Sequence, residues 1–265
     1  IFKLLTNPTE ILGNDDGFVS GQLIRDIGRY SDIVYINGHG GQCSNIWVLE
    51  RNDDISPIRE YFCADNTVNV GGAKIGIGAQ WKAGSTTKTN SYWNAGTKWV
   101  ILSPCSQFDY GSEGAGQHWN GLSSAQVWAR TMLGDGERIH GFLGYYDGAP
   151  PEMEHIFKLD QFFFYAQSMP IVDAWKKAHV GGVLAIDTSW AVMYHSANAN
   201  DGITNFTTTT SSDSPYTIYL ERFERDDTSL VLSSASNNIS ANSPALNANT
   251  HAVFAEADVN KINSI

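Results

Sequence analysis

The sequence predicts an α/β fold with a mainly parallel sheet, because short apolar segments typical of buried strands alternate with segments of helical periodicity. Three of the apolar segments are compact runs of β-branched and aromatic residues: Asp32–Asn37, Lys98–Ser103 and Ile139–Tyr145. Gly182–Asp187 has the same character and predicts a fourth strand. Each of the first two runs stops abruptly at small or polar residues, which marks a strand end.

Helices are predicted from apolar residues that recur every three or four positions. Val19–Arg29 and Leu122–Leu133 show this spacing. Phe157–Gln167 and Ile171–Ala178 show it too and are separated by Pro170, which cannot continue a helix. The alternation of strands and helices along the first 198 residues is the main support for the predicted fold class.

The chain between the first two strands is predicted to be mostly irregular. Ile46–Leu49 has the residues of a short strand. Gly71–Asn94 is rich in Gly, Thr, Ser and Lys, which predicts an exposed loop region, either a lid or an insertion.

The character of the sequence changes near Asn198. Tyr216–Phe223 alternates like a solvent-facing strand, and Leu230–Ser234 is a candidate hairpin partner for it. The predicted organisation is therefore an α/β domain over residues 1–198 and a small β-rich C-terminal extension, residues 199–265, packed on the same domain.

Composition and charge restrict the possible partners. The chain has 265 residues, 28 acidic and 17 basic side chains and a net charge of -11. Such a surface repels phosphate backbones, so we expect no nucleic-acid partner. No apolar run approaches the ~20 residues of a membrane span, so no span is expected. The many Asn, Ser and Thr residues with few Lys predict an exported protein, with a cytoplasmic one as the alternative, and Ile1 in place of Met predicts a processed product.

Three cysteines leave the redox state open. Cys43 and Cys63 can form a disulfide that leaves Cys105 as a thiol, or all three can be reduced. His39 and Cys43 lie four residues apart, but no CxxC or HxxxH pair supports a zinc site. Asn14–Gly17 lacks the alternating oxygen ligands of an EF-hand, so a solvated turn is favoured. No metal or organic cofactor is predicted.

Two strand ends carry residues that can perform chemistry. His39 follows the first strand, and Cys105 follows the second. In open α/β sheets ligands bind at the carboxyl ends of the strands, so parallel neighbours would bring the two side chains to one edge. An imidazole beside a thiol makes a base and a nucleophile. Gly38, Gly40 and Gly41 allow a close backbone approach, and the amides of Gly40 and Cys105 are candidate donors to an oxyanion.

Other polar residues near these strand ends have less support. A single buried Cys is usually inert, and a single His among glycines is usually a turn residue. Asp109, Glu113 and His118 follow the Cys and lie in a pocket or simply in a polar loop. Asp147 and Glu152 flank a Pro-rich loop after the third strand.

Three sequence strings carry a resemblance to a known group of proteins. DIVYINGHGG, WVILSPCSQ and IHGFLGYYD resemble the core motifs of the caspase, gingipain and legumain group of cysteine peptidases, over roughly Ser31–Asp187. The combination is most similar to a poorly characterised bacterial family with a caspase-like core. The resemblance implies a three-layer α/β/α sandwich and an endopeptidase that cleaves protein or peptide substrates through a thioester acyl-enzyme. By the same resemblance His39 is the general base or acid, Cys105 the nucleophile, and Gly40 with Cys105 the oxyanion hole.

The chain also departs from this group. Ser103-Pro104-Cys105 replaces the residues that usually precede the nucleophile, so no substrate specificity follows from the resemblance. Ser103, the last residue of the second strand, and Asp147, in the loop after the third strand, are the predicted substrate-binding residues. Pro104 favours the alternative function, a non-catalytic binding or assembly module that keeps the caspase-like core. The sequence does not determine the oligomeric state.

Overall fold

The structure is a computed structural model of the chain. It describes residues 31–37, 39–41, 45–48, 60–65, 73–81, 88–91, 93, 96–108, 124–132, 139–146, 148–180, 189–207, 218–223 and 250–254.

These residues form strands and helices in an α/β arrangement. The strands are β1 (Ile33–Ile36), β2 (His39–Gly41), β3 (Asn45–Val48), β4 (Glu60–Asp65), β5 (Ala73–Trp81), β6 (Lys88–Ser91), β7 (Trp99–Leu102), β8 (Gly141–Gly144), β9 (Trp190–His195), β10 (Ile218–Phe223) and β11 (Thr250–Phe254). The helices are α1 (Ser124–Met132), α2 (Glu152–Ala166) and α3 (Ile171–His179), and Ser196–Asn198 forms one turn of 3-10 helix.

The central sheet has six strands in the order β1-β7-β8-β9-β10-β11. β1, β7 and β8 are parallel neighbours, whereas β9 is antiparallel to both β8 and β10, and β11 is antiparallel to β10. β10 therefore points the same way as β1, β7 and β8, and four of the six strands share one direction. The predicted α/β class and the mainly parallel sheet are confirmed.

Both faces of the central sheet are covered by apolar side chains. Along β7, Val100 and Leu102 face one cluster with Trp128 of α1, and Trp99 and Ile101 face the other. The second cluster contains buried residues of α2 and α3. Covering on both faces explains why the β7 sequence is an unbroken apolar run rather than an alternating one.

The prediction of a loop over Gly71–Asn94 is wrong. β5 and β6 lie within that stretch and belong to a second, five-stranded sheet of order β2-β3-β4-β5-β6. The glycines that suggested a loop serve packing instead. A Cβ at Gly78 would lie 2.6 Å from the Ala64 carbonyl oxygen and 2.7 Å from Nε1 of Trp93, so only glycine fits this strand position.

The strand that the sequence predicts after residue 198 is present as β10, but it is buried. β10 spans Ile218–Phe223, within the predicted Tyr216–Phe223, but the predicted solvent-facing character is wrong, since every side chain of β10 except the half-buried Tyr219 is buried. Its charged residue Glu221 is 3% exposed and bonds Lys176 Nζ at 2.7 Å and the Tyr194 hydroxyl at 2.5 Å. These partners, which are distant in sequence, let a carboxylate lie inside the sheet.

The helix predictions are confirmed where the structure describes them. α1 and α3 match their predicted spans, and α2 begins five residues earlier than the predicted Phe157, at Glu152. Val19–Arg29, Gly182–Asp187 and Leu230–Ser234 lie outside the described residues, and the boundary near residue 198 stays a prediction. The predicted pairing of Leu230–Ser234 with β10 is wrong, because β9 and β11 occupy both edges of β10. In the described part of the chain, no helix is both long and apolar enough to cross a membrane.

Candidate active site

The two segments singled out by the sequence meet at one edge of the central sheet. β1 and β7 are parallel neighbours with Ile36 beside Leu102, so both strands end at the same edge. The backbone N–H of Ser103 continues the pairing by donating to the Ile36 carbonyl at 2.9 Å. The carboxyl ends of parallel strands are where α/β proteins place their ligands.

Beyond this edge the backbones of the two motifs are in contact. A Cβ built at Gly40 would lie 2.5 Å from the Cys105 nitrogen and closer still to the Cys105 carbonyl oxygen. Only glycine allows this approach. In β2 the His39 backbone pairs with the backbone of Trp47 in β3, but the His39 side chain is not among those described. The separation of the imidazole from the thiol therefore stays a prediction.

The turn that carries Cys105 is held by several contacts. The Cys105 side chain is partly exposed, and its Sγ accepts a hydrogen bond from the Ala149 N–H at 3.2 Å. Gln107 donates from Nε2 to the Cys105 carbonyl at 3.0 Å and accepts from Trp128 Nε1 at 3.2 Å. Ser106 has a φ of 58°, a left-handed conformation that costs a non-glycine residue about 1–2 kcal/mol. Backbone strain of this kind is concentrated at functional sites.

A group of polar side chains, buried except for Tyr35, lies directly behind this turn, and we call it the carboxyl-edge cluster: Tyr35, Ser103, Tyr145, His155 and His179. His155 Nε2 lies 2.8 Å from the Tyr35 hydroxyl and 3.0 Å from the Ser103 hydroxyl. His155 Nδ1 lies 2.6 Å from the Tyr145 hydroxyl, which is 3.2 Å from His179 Nε2. The cluster joins the ends of β1, β7 and β8 to helices α2 and α3.

The positions of the protons in the cluster follow from the hydrogen bond that His179 makes at one end of it. His179 Nδ1 must donate to the Trp175 carbonyl at 2.8 Å, so a neutral His179 accepts at Nε2 from the Tyr145 hydroxyl. The Tyr145 oxygen then accepts from His155 Nδ1, which leaves Nε2 of His155 with one lone pair. The hydroxyls of Tyr35 and Ser103 both face that lone pair, and Ser103 can alternatively donate to Asn37 Oδ1 at 3.0 Å.

Burial keeps this cluster uncharged. Desolvation lowers the pKa of His155 from 6.5 to about 4 and, opposed in part by the hydrogen bond to Trp175, that of His179 from 6.5 to about 3. Burial, reinforced by the neighbouring Tyr35, Glu154 and Cys105, raises the pKa of Tyr145 well above 10.0. At neutral pH both imidazoles are therefore neutral and the Tyr145 hydroxyl keeps its proton.

The other predicted site residues are placed as follows. Ser103 is 3% exposed, behind the Cys105 turn, and its predicted role in substrate binding stays a prediction. Asp147, Asp109, Glu113, His118 and Cys43 lie outside the described residues, so the disulfide alternative also stays open. Within the described residues, no three His, Cys, Asp or Glu side chains are grouped to hold a metal ion.

Sequence reasoning missed the centre of the polar cluster. His155 lies in the first turn of α2, four residues after Pro151, and nothing in the local pattern distinguishes it from an ordinary helix residue. Tyr145 could have been found from the sequence, because it follows the third strand in the same way that Cys105 follows the second. His179 ends α3 and shows no local signal of its contact with Tyr145.

Comparison of the chain with protein-family models, with curated proteins and with solved structures finds no match.

Proposed function

We propose that this protein is a cysteine endopeptidase with a caspase-like three-layer α/β/α core. In this proposal the Cys105 thiolate attacks the scissile carbonyl and forms a thioester acyl-enzyme. His39 takes the thiol proton and returns it to the leaving amine, and water then hydrolyses the thioester. The amides of Gly40 and Cys105 stabilise the oxyanion.

The observation that supports the proposal is the contact between Gly40 and Cys105. The two residues are 65 positions apart, yet their backbones pack so closely that a Cβ at Gly40 would overlap the Cys105 backbone. This contact brings the residue after His39 to the backbone of Cys105, whose side chain is partly exposed at the carboxyl edge of the sheet. A thiol in an open, strained turn with an N–H on its sulfur has features of a reactive cysteine.

The test is alkylation of the folded protein by iodoacetamide from pH 5.5 to 9, with mass mapping of Cys105 and a peptide-library screen. We expect Cys105 to react fast below pH 7, and His39→Ala to slow this reaction by at least tenfold. Cys105→Ser should abolish peptide cleavage.

His39→Gln is the matched control, since it keeps a hydrogen-bonding side chain but cannot act as a base at neutral pH. It should behave like His39→Ala. Labelling of Cys105 at the rate of an ordinary thiol, unchanged in both His39 variants, would refute the dyad.

The second candidate function is a non-catalytic binding or assembly module with the same core. The observation that favours it is Pro104, which is buried directly before Cys105 and, with Ser103, replaces the residues that usually precede the nucleophile in the group that the chain resembles. In that case Cys105→Ser leaves every function of the protein intact, and no peptide in the library is cut.

A further inference from the structure

His155 connects four elements of the fold. Its backbone N–H donates to the Pro151 carbonyl at 2.9 Å at the start of α2. Its ring stacks on Tyr35 of β1, with centroids 5.7 Å apart, and meets the edge of the Tyr145 ring at 5.5 Å. Its Nε2 reaches Ser103 at the end of β7. Among the described residues of this edge, His155 is the one that contacts the ends of three parallel strands.

Ser103, His155 and Tyr145 have the spacing of a nucleophile, a base and an orienting group. Their burial argues against that role. Ser103 is 3% exposed and His155 is 4% exposed, whereas a substrate carbonyl would have to come within about 3 Å of the hydroxyl. We therefore assign the three residues an indirect role, through the segments of Cys105 and Ala149.

Two hydrogen-bond partners of His155, Ser103 and Tyr145, lie shortly before Cys105 and Ala149, which are themselves joined by a hydrogen bond. Ser103 precedes Cys105 by two residues, and Tyr145 precedes Ala149 by four. The Ala149 N–H donates to Sγ of Cys105 at 3.2 Å. Because His155 bonds both Ser103 and Tyr145, it restrains the segment that carries the thiol and the segment that carries the amide.

We propose that His155 is a positioning residue that holds the Ala149 amide on the Cys105 sulfur and so stabilises negative charge on that sulfur. The inference rests on the proposed function in that it takes Cys105 as the reactive group. An amide N–H directed at a thiolate is a charge-assisted hydrogen bond, which is stronger than one to a neutral thiol. Loss of the geometry should therefore disfavour the ionised sulfur.

The hydrogen-bonded groups of this network carry no charge of their own, and the charged side chains that act on it, Glu154 and Lys158, belong to α2. The groups that face His155 or its bonded neighbours are Tyr35 from β1, Tyr145 after β8, Glu154 and Lys158 from α2, and His179 from α3. His155, Tyr145 and His179 are uncharged at neutral pH because they are buried. An imidazole with one donor and one acceptor at fixed positions suits a positioning role, whereas a charged residue would change the field at Cys105.

The experiment compares Cys105 alkylation rates at pH 6.5 and 8.5 in the full chain. His155→Phe keeps the ring volume but removes both nitrogens. We expect it to lower the ratio of the rate at pH 6.5 to the rate at pH 8.5 about fivefold, because one hydrogen bond contributes a free energy of that size. His155→Gln offers one donor and one acceptor at a spacing close to that of the ring nitrogens, and we expect it to restore at least half of the loss.

A control variant tests whether a general loss of stability explains the result. Asp201→Asn perturbs a buried polar group at the other end of β7 and β8, and we expect it to lower the melting temperature with no change in the rate ratio. If His155→Phe does not fold, Ser103→Ala provides the comparison, because it removes the hydroxyl that links His155 to the segment of Cys105. A folded His155→Phe or Ser103→Ala variant with the wild-type ratio would overturn the inference.

The same data separate this inference from the peptidase proposal. A rate ratio that depends on His155 but not on His39, without peptide cleavage, supports the positioning role and refutes the peptidase. A rate ratio that depends on His39 but not on His155, with peptide cleavage, supports the peptidase and refutes the positioning role.

Discussion

Two buried polar clusters lie at opposite ends of β7 and β8, and they differ in charge. The carboxyl-edge cluster, centred on His155, consists of hydroxyls and neutral imidazoles. The amino-edge cluster consists of Trp99, His140 and Asp201. In it the Asp201 carboxylate accepts from Trp99 Nε1 at 2.9 Å, lies 2.6 Å from His140 Nδ1, and accepts from the Thr207 N–H at 2.8 Å.

The two clusters respond to burial in opposite ways. Burial alone would raise the pKa of Asp201, but the hydrogen bonds from His140, Thr207 and Trp99 together lower it below 3.8. At the other edge burial dominates and lowers the pKa of both histidines. A buried carboxylate that receives several donors stays charged, whereas a buried imidazole that meets mainly hydroxyls stays neutral.

This difference assigns the clusters different tasks. The charged cluster fixes the loop of residues 201–207 beneath the amino ends of β7 and β8, where no candidate catalytic residue lies. The neutral cluster lies behind Cys105. A permanent charge there would act on the sulfur, so a network of neutral groups can hold the turn without changing its electrostatics.

The largest effect is expected from Asp201→Ala. The substitution leaves the donors of His140, Trp99 and Thr207 buried without an acceptor, and it should lower the free energy of unfolding by about 4 kcal/mol. Urea denaturation measures this change. Asp201→Asn keeps the volume and one acceptor oxygen and should cost about half as much. A cost below about 1 kcal/mol for the alanine variant would show that the cluster is not a stabilising unit.

Acid should destabilise the protein through the histidines of the other cluster. A His whose folded pKa lies below its unfolded value binds protons in the unfolded state first, so stability falls as pH drops below 6.5. The loss levels off only below the folded values of about 4 for His155 and about 3 for His179. Between pH 7 and 5 each histidine should cost about 2 kcal/mol.

Denaturant midpoints measured at pH 7, 6 and 5 check this expectation, with His179→Gln as the variant whose pH slope should be about half that of the wild type. Asp201 should contribute only below about pH 4, because a lowered carboxyl pKa supplies stability that is lost as pH falls through the folded value. A flat stability profile from pH 7 to 5 would contradict the assignment of two neutral buried histidines.

The smallest effect is expected from Ser103→Ala, about 1 kcal/mol. Two hydroxyls, those of Ser103 and Tyr35, face the single lone pair of His155 Nε2, so either one can satisfy it. For the same reason the double variant Ser103→Ala, Tyr35→Phe should cost more than the sum of its two parts, by about 1 kcal/mol in a double-mutant cycle. Additive costs would show that the two hydroxyls do not share the acceptor.

Much of the central sheet was predictable because its signals are local. β1, β7 and β8 are short runs of apolar residues, and the small and polar residues after β1 and β7 mark both the strand ends and the candidate site. β5 was not predictable in this way, because its glycines have the composition of a loop. Pairing with β4 and close packing under Trp93 make that stretch a strand.

The sequence by itself determined the α/β class and the edge of the sheet at which the segments that follow β1 and β7 meet. Strand periodicity and strand ends depend on neighbouring residues, so they can be recognised in a single chain. Only the tertiary structure decided the role of His155, because its ring meets Ser103 and Tyr145, which come from different strands. Burial and long-range hydrogen bonds determine whether an imidazole is charged or neutral. Neither the burial nor these hydrogen bonds can be recognised from the residues adjacent to it in sequence.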